Sequence, residues 1–403
     1  MKEIFKNGLL PRKAGKIVDT YYPKTIQDVV KIVKTGKRLL ASGSLTSHSR
    51  INEPLQKTWE ISSQRINHIY RVSKTNLHST KQLKKSLENL IDPVYCPREQ
   101  HPFKNYFINV GSGTTVEQLE IYLRTKGLMM SSTTNKNRTI GGISQTDCAS
   151  SGWNLPSIAS QIVSFRIILP DGSFATIGKK LQTMKDCDIN NDTVFNAILC
   201  SAGTFGFIYD MVLFVQDYIE QPCIKPLKTK WNIIRNDLNF IKDWRNLYLY
   251  INPQNESVEI RNQMIKRLNV ISTECAIPIY KNTDIRTIIN SVLHYITSTY
   301  KKPYPLQITF GRPSKIYLSA SYHKTNPEGI IYIEASYPIK RGIENHIRDL
   351  INLETYMEGL SGTTFLHKLQ GPIGKIKSKY WNLYFNQFRK NPFANSFAQE
   401  IEK

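Results

Sequence analysis

Three short stretches rich in glycine, serine and threonine carry the residue types and spacing in this 403-residue chain that fit chemistry. They are Val110-Gly111-Ser112-Gly113, then Thr139-Ile140-Gly141-Gly142 with the small run Ala149-Ser150-Ser151-Gly152 behind it, then Ser201-Ala202-Gly203-Thr204-Phe205-Gly206. Each reads as a turn at a strand end, where missing side chains let a backbone approach something closely. A groove lined by such turns presents N–H groups, and these suit a phosphate-bearing ligand. Taken singly, any one of them is an ordinary tight turn.

The elements that must hold these turns are legible around them. Residues 116–126 place Val116, Leu119, Tyr122 and Leu123 at helical spacing, with Gly127 as the stop. Residues 164–169 alternate and are β-branched, and Pro170-Asp171-Gly172 returns the chain into 174–177 as a hairpin. The strand 210–215 follows the third turn. Upstream, Thr25 caps a helix over 26–35, and a strand at 37–41 ends in Ser42-Gly43-Ser44-Leu45-Thr46-Ser47-His48-Ser49-Arg50, a loop of small residues. Residues 73–105, with Lys74, Lys81, Lys84, Lys85 and three prolines, read as a surface insertion with a helical piece at 79–90. After Asp217 the pattern changes. A linker at 220–226 precedes a helix at 231–241, a hairpin at 247–253 and 257–261, helices at 283–295 and 342–354, and a strand at 330–337. Strands and helices segregated this way predict an α+β unit with an antiparallel sheet.

Composition narrows the classes. A hydrophobic content of 40% is that of a globular chain, and the length allows two or three domains. No run approaches the ~20 apolar residues of a membrane span, and the first residues lack a secretory apolar region, so the expectation is a cytoplasmic protein. Six cysteines without a CxxC pair or paired histidine argue for free thiols and against a metal site. The net charge of +22 fits nucleic-acid or anionic-membrane binding, or attraction of an anionic cofactor. Lysines are spread along the whole chain, with no arginine-rich arm, zinc finger or RNP-like motif, so a nucleic-acid role is not expected.

In order and spacing, the turns resemble the flavin-binding domain of the vanillyl-alcohol oxidase and p-cresol methylhydroxylase (PCMH) superfamily. The resemblance rests on the three turns, on Gln161-Ile162-Val163 and on Leu169-Pro170-Asp171-Gly172, and covers residues 16–217. It implies an α+β protein with a two-part PCMH-type FAD-binding domain over 1–217, a substrate domain over 218–370 and a segment 371–403 that folds back on the first domain. It implies FAD held by Ser42, Gly43, Ser44, Ser47, His48, Ser49, Gly113, Thr139, Gly141, Gly142, Ser151, Gly152, Val163, Gly203, Gly206 and Ile208. In many relatives a histidine of the pyrophosphate loop carries the flavin covalently, which makes His48 the attachment candidate; purely non-covalent FAD is the alternative. No cysteine precedes Thr139 where berberine-bridge relatives keep a second linkage.

The second half is similar to the substrate domain of sugar-lactone oxidases such as the gulonolactone and arabinonolactone enzymes, and more loosely to lipid-linked ribose oxidases. Gly371-Pro372-Ile373-Gly374-Lys375 resembles their His-Trp-Gly-Lys motif, with Pro372 in place of the histidine and Ile373 in place of the tryptophan. The implied reaction is oxidation of a hydroxyl group of a small-molecule alcohol, with oxygen or another electron acceptor. It needs a group that accepts the hydroxyl proton, and the candidates are Glu334 and Lys375. A second reading stays open, in which the fold is kept as a binding protein without activity.

Overall fold

The computed structural model describes residues 17–45, 57–79, 81–82, 103–180, 184–220, 225–265, 270–301, 303–338, 343–365 and 393. Ser47, His48, Ser49, Lys375, most of the expected insertion and the aromatic tail apart from Phe393 lie outside them.

The first strands, β1 (Ile17–Tyr21), β2 (Leu39–Ser42) and β3 (Thr58–Ser62), form a parallel sheet in the order β1-β3-β2. Helix α1 (Ile26–Val33) makes the crossover from β1 to β2. Thr25 and Asp28 close a reciprocal capping box at its start, and Val29 and Val33 bury its apolar face. Phe393 fills the same core with Leu39 and Ile61.

Next come β4 (Ile69–Arg71), β5 (Phe107–Gly111), β6 (Leu128–Met129), β7 (Ile162–Ile168), β8 (Phe174–Gly178), β9 (Ile189–Asn190), β10 (Phe207–Phe214) and β11 (Gln216–Asp217). Strands β6 and β11 pair with each other; the rest make a six-stranded sheet in the order β4-β5-β10-β7-β8-β9. The expected hairpin is β7 and β8, with Gly172 at φ +81° in its turn. Helices α2 (Val116–Arg124), α3 (Ile140–Thr146) and α4 (Asp192–Ile198) belong to this half, and Val116, Leu119, Ile140, Ile143 and Phe195 pack into its core.

A buried ion cluster ties four neighbouring chain segments of the six-stranded sheet. Asp210, fully buried on β10, accepts from Arg166 of β7 through Nε at 2.7 Å and through Nη2, and lies 3.1 Å from His68 Nε2 just before β4. The same imidazole nitrogen faces Asn109 Oδ1 of β5 at 3.1 Å. Burial works to raise the Asp210 pKa, but hydrogen bonds from Arg166 and His68 outweigh it and the net shift is downward. A carboxylate lowered on folding adds stability above its unfolded pKa of about 3.9, lost as pH falls through the folded value. Asp210→Ala strands two partly exposed partners and is expected to cost about 2–3 kcal/mol at neutral pH, somewhat less than a fully buried pair. Urea unfolding at neutral and at acidic pH checks this. The wild-type advantage should shrink below about pH 4, and an undiminished advantage there would refute the assignment.

The second half is built on one large antiparallel sheet. Its strands are β12 (Leu227–Lys230), β13 (Tyr248–Asn252), β14 (Ser257–Arg261), β15 (Val270–Ile279), β16 (Leu306–Gly311), β17 (Gly329–Pro338) and β18 (Thr363–Thr364), in the order β12-β14-β13-β16-β17-β15-β18. The single helix expected over 231–241 is instead two short ones, α5 (Trp231–Ile234) and α6 (Phe240–Asp243). The polar stretch Asn236-Asp237-Leu238-Asn239 breaks it, because the Asp237 carboxylate accepts from the Asn239 N–H and makes a turn. Two long helices, α7 (Ile285–Thr299) and α8 (Ile343–Gly359), bury Ile289, Val292, Ile296, Leu350 and Leu353 against one sheet face. That face is Leu249, Ile251, Ile271, Cys275, Ile277, Leu306, Ile308, Ile331 and Ile333, so the strand period of two sends the intervening residues to the other side. Among the described residues no helix is long and apolar enough to cross a membrane.

Candidate functional site

A cleft holding about 580 Å³ of empty space, part of it open to solvent, lies between the two N-terminal sheets. Its walls are the end of β2 (Ala41, Ser42, Gly43), Ser63 after β3, Ser112 after β5, α3 (Gly141, Gly142, Gln145, Thr146), and the turn into β10 (Ala202, Gly203, Gly206, Phe207, Ile208). All three glycine stretches therefore converge, together with the loop after β2. A Cβ on Gly43 would sit 2.1 Å from Thr139 Oγ1, so this loop reaches its place because it has no side chain. A Cβ on Gly142 would meet only that hydroxyl, at 3.1 Å, and otherwise the space of the cleft.

The expected turn at Thr139-Ile140-Gly141-Gly142 is the first turn of α3, with Thr139 as its cap. Its donors are already used. Ile140 N–H bonds Thr114 O at 2.8 Å, Gly141 N–H bonds Ser112 O at 2.8 Å, and Gly142 N–H bonds Thr139 Oγ1 at 3.2 Å. Gly113 N–H likewise bonds Ile66 O. The glycines at these points serve close packing of backbones, which corrects the picture of a groove lined throughout by free N–H groups.

The turn into β10 holds an unusual backbone in place. Cys200 and Ala202 have φ of 60° and 59°, with Gly203 at 76° and Gly206 at 145°. Left-handed residues other than glycine cost about 1–3 kcal/mol each and persist where their surroundings over-determine them. Here Cys200 N–H bonds Ser144 O, Ala202 N–H bonds Gln145 O, and both Gly203 N–H and Ser201 Oγ donate to Gln145 Oε1 at 2.9 Å. Two polar atoms at this place remain buried without a partner: Ser112 Oγ and Gln145 Nε2. Ser112 belongs to the first glycine stretch, but Gln145 did not stand out in the sequence, since a glutamine near glycines carries no signal until its neighbours are in place.

Of the expected cofactor positions, Ser42, Gly43, Gly141, Gly142, Gly203, Gly206 and Ile208 line the cleft, with Thr139 directly behind Gly43. Four others have protein neighbours instead. Gly113 is packed on the backbone of Ser63, and Val163 is fully buried in the core. Ser151 donates to Asn246 Oδ1 at 2.7 Å, and a Cβ on Gly152 would lie 1.8 Å from Arg245 O, so both sit at the seam with the second half of the chain. Ser44 is described but is not part of the lining.

A second constellation lies on the face of the large sheet turned away from α7 and α8. Register places Glu259, Tyr250, Gln307, Glu334 and Glu274 in one row across five adjacent strands. Gln307 Nε2 donates to Glu334 Oε2 at 3.2 Å, and Glu274 and Gln307 are buried. Two carboxylates directly opposite one another repel, so a nearby cation matters. Arg138, which donates to Cys148 Sγ, supplies it from the first half of the chain. Burial works against the Arg138 cation, but Cys148, Glu274 and Glu334 outweigh it and hold its pKa above the ordinary guanidinium value. Burial also pushes the Cys148 thiol up, against the pull of Arg138. Among the described residues no three His, Cys, Asp or Glu side chains gather as metal ligands.

No family model and no curated protein matches the sequence. Solved structures do match. Cholesterol oxidase from B. sterolicum superposes with a TM-score of 0.71 at 10% identity, over 95% of this chain and 93% of that one. A VAO-type flavoprotein from Myceliophthora thermophila C1 gives 0.62 at 9% identity, over 91% and 75%. A variant of a Physcomitrella patens BBE-like protein gives 0.55 at 11% identity, over 87% and 83%. Identities this low show the fold, and the fold is the expected one: the mixed α and β architecture of VAO/PCMH-type flavoproteins.

Proposed function

We propose that this chain is an FAD-dependent oxidoreductase that oxidises a hydroxyl group of a sugar, lactone or related polar alcohol. The observation that carries the cofactor is the cleft: small residues from five chain segments line it, and Ser112 Oγ and Gln145 Nε2 are buried beside it with nothing to bond. Unsatisfied buried donors cost about 1–3 kcal/mol each, which a bound polar group recovers. The residues present therefore fit a phosphate-bearing cofactor, and Ser42, Gly43, Gly142, Gly203, Gly206 and Ile208 would hold it. When bound, FAD supplies a hydride acceptor.

The substrate reading rests on the polar row. A sheet face that carries Tyr250, Gln307, Glu334 and Glu274 suits a hydroxylated molecule, whose hydroxyl groups exchange hydrogen bonds with polar side chains where an apolar steroid surface does not. Glu334 accepts the hydroxyl proton, Gln307 fixes its carboxylate, and Arg138 offsets the charge of the acid pair. Residues 1–217 serve as the FAD domain, 218–370 as the substrate domain and 371–403 as the returning segment, in a cytoplasmic enzyme. Oxygen is the acceptor supported by the oxidases of this fold.

The test is direct. Purified protein should show the flavin absorption bands, and a panel of sugars and lactones under air should yield an oxidised product. Protein that is colourless and takes up no added FAD would overturn the assignment, while a flavin-bound protein inert to every alcohol would favour the binding-protein reading. Acid precipitation of the same preparation decides the linkage: fluorescence that stays with the polypeptide and moves to the supernatant in His48→Ala marks His48 as the attachment point.

A further inference from the structure

We infer that Gln145 is the residue that recognises the diphosphate of the cofactor, through a carboxamide locked so that its NH2 group faces the ligand. This rests on the FAD reading above and specifies how the cleft works. The Oε1 atom accepts from Gly203 N–H and from Ser201 Oγ, both at 2.9 Å. A backbone N–H can only donate, so the carbonyl end of the amide must face it, and the orientation of the side chain is settled by chemistry. The other end, Nε2, is buried at the cleft wall and has no partner. An NH2 group donates and does not accept, so its missing partner is an acceptor.

The character of the acceptor follows from the rest of the lining. Among the described lining residues there is no lysine or arginine. An anion placed here is held by neutral dipoles, Gln145 Nε2 and Ser112 Oγ among them, and by the diffuse field of a chain with net charge +22. Hydrogen bonds to an ionised oxygen are the stronger kind, and an amide whose carbonyl is already fixed loses little entropy in making one. The same side chain joins α3 to the left-handed turn at 200–203, so occupation of the cleft and the shape of that turn are coupled through one residue.

Gln145→Glu isolates the ligand-facing half. The carboxylate keeps an oxygen for Gly203 N–H and Ser201 Oγ, but replaces the donor with negative charge at a wall whose described lining residues include no cation. FAD and ADP affinity of the full-length apoprotein are measured by flavin-fluorescence quenching and calorimetry, in a His48→Ala background if the linkage proves covalent. At pH 8 the variant should bind both ligands about 100-fold more weakly than wild type. As pH falls to about 5 the carboxyl takes up a proton, regains a donor, and affinity should return to within about tenfold. Riboflavin, which has no phosphate, should bind wild type and variant alike. Equal FAD and ADP affinity of variant and wild type at pH 8 would overturn the inference, as would a loss confined to riboflavin. Wild-type protein that binds neither FAD nor ADP would instead remove the cofactor assignment itself.

Discussion

Gly142→Val should abolish FAD binding in a protein that remains folded. A Cβ at this position meets only Thr139 Oγ1, at 3.1 Å, and a valine there extends into the cleft. Within a helix valine is a few tenths of a kcal/mol better than glycine, so the seven-residue α3 has no local reason to fail. The isopropyl group takes space a cofactor needs, and a clash of that size is expected to lower affinity by at least about 100-fold. Gly141→Val is the contrasting case. Its Cβ would lie 2.7 Å from both the Cβ and the carbonyl oxygen of Ser112, so that variant should lose thermal stability before binding is tested. Far-ultraviolet circular dichroism with flavin absorbance separates the two outcomes, and Gly142→Val with full FAD occupancy would show that the cleft is not the cofactor site.

Glu334→Gln should remove activity and raise stability together. Loss of a general base costs about 10²–10⁴ in kcat/KM. The substitution also relieves repulsion, since Glu334 lies directly opposite Glu274 on the neighbouring strand. Removing one charge from such a pair gives back about 0.5–1 kcal/mol, a rise in Tm of about 1 °C in a chain of this length. Residues that act in structure alone do not show this pairing, because cutting their contacts lowers Tm. FAD affinity should stay unchanged, as the large sheet contributes nothing to the described lining of the cleft. Unaltered turnover with an excellent substrate would remove Glu334 from the reaction, and a lowered Tm would show that it is an ordinary structural acid.

The parts of this fold that follow local rules were readable from the chain. Thr25 announces α1 as its cap, and Val116, Leu119, Tyr122 and Leu123 announce α2 by their helical spacing. The hairpin of β7 and β8 was legible in the same way, from alternation and a Pro-Asp-Gly turn. Helix α3 was not. Two consecutive glycines are a poor start for a helix, and α3 exists because Thr114 and Ser112, on another segment, accept from its first N–H groups. Glu334 could be named from its strand, yet its setting could not, because Gln307, Glu274 and Arg138 reach it only through register and through the meeting of the two halves. Gln145 shows the same limit: its value lies in one satisfied atom and one unsatisfied atom, a difference that only neighbours create.

The presence of Phe393 in the core of the first sheet bears on how the chain is made. Its partners Val29, Leu39 and Ile61 leave the ribosome long before the ring that joins their packing. Closing so long a loop costs entropy that the final contact must offset. Until then the groove beside α1 exposes apolar surface, which is the condition that recruits chaperones to nascent chains. Maturation of this region, and of the adjoining Ala41-Ser42-Gly43 wall of the cleft, therefore waits until Phe393 has left the ribosome.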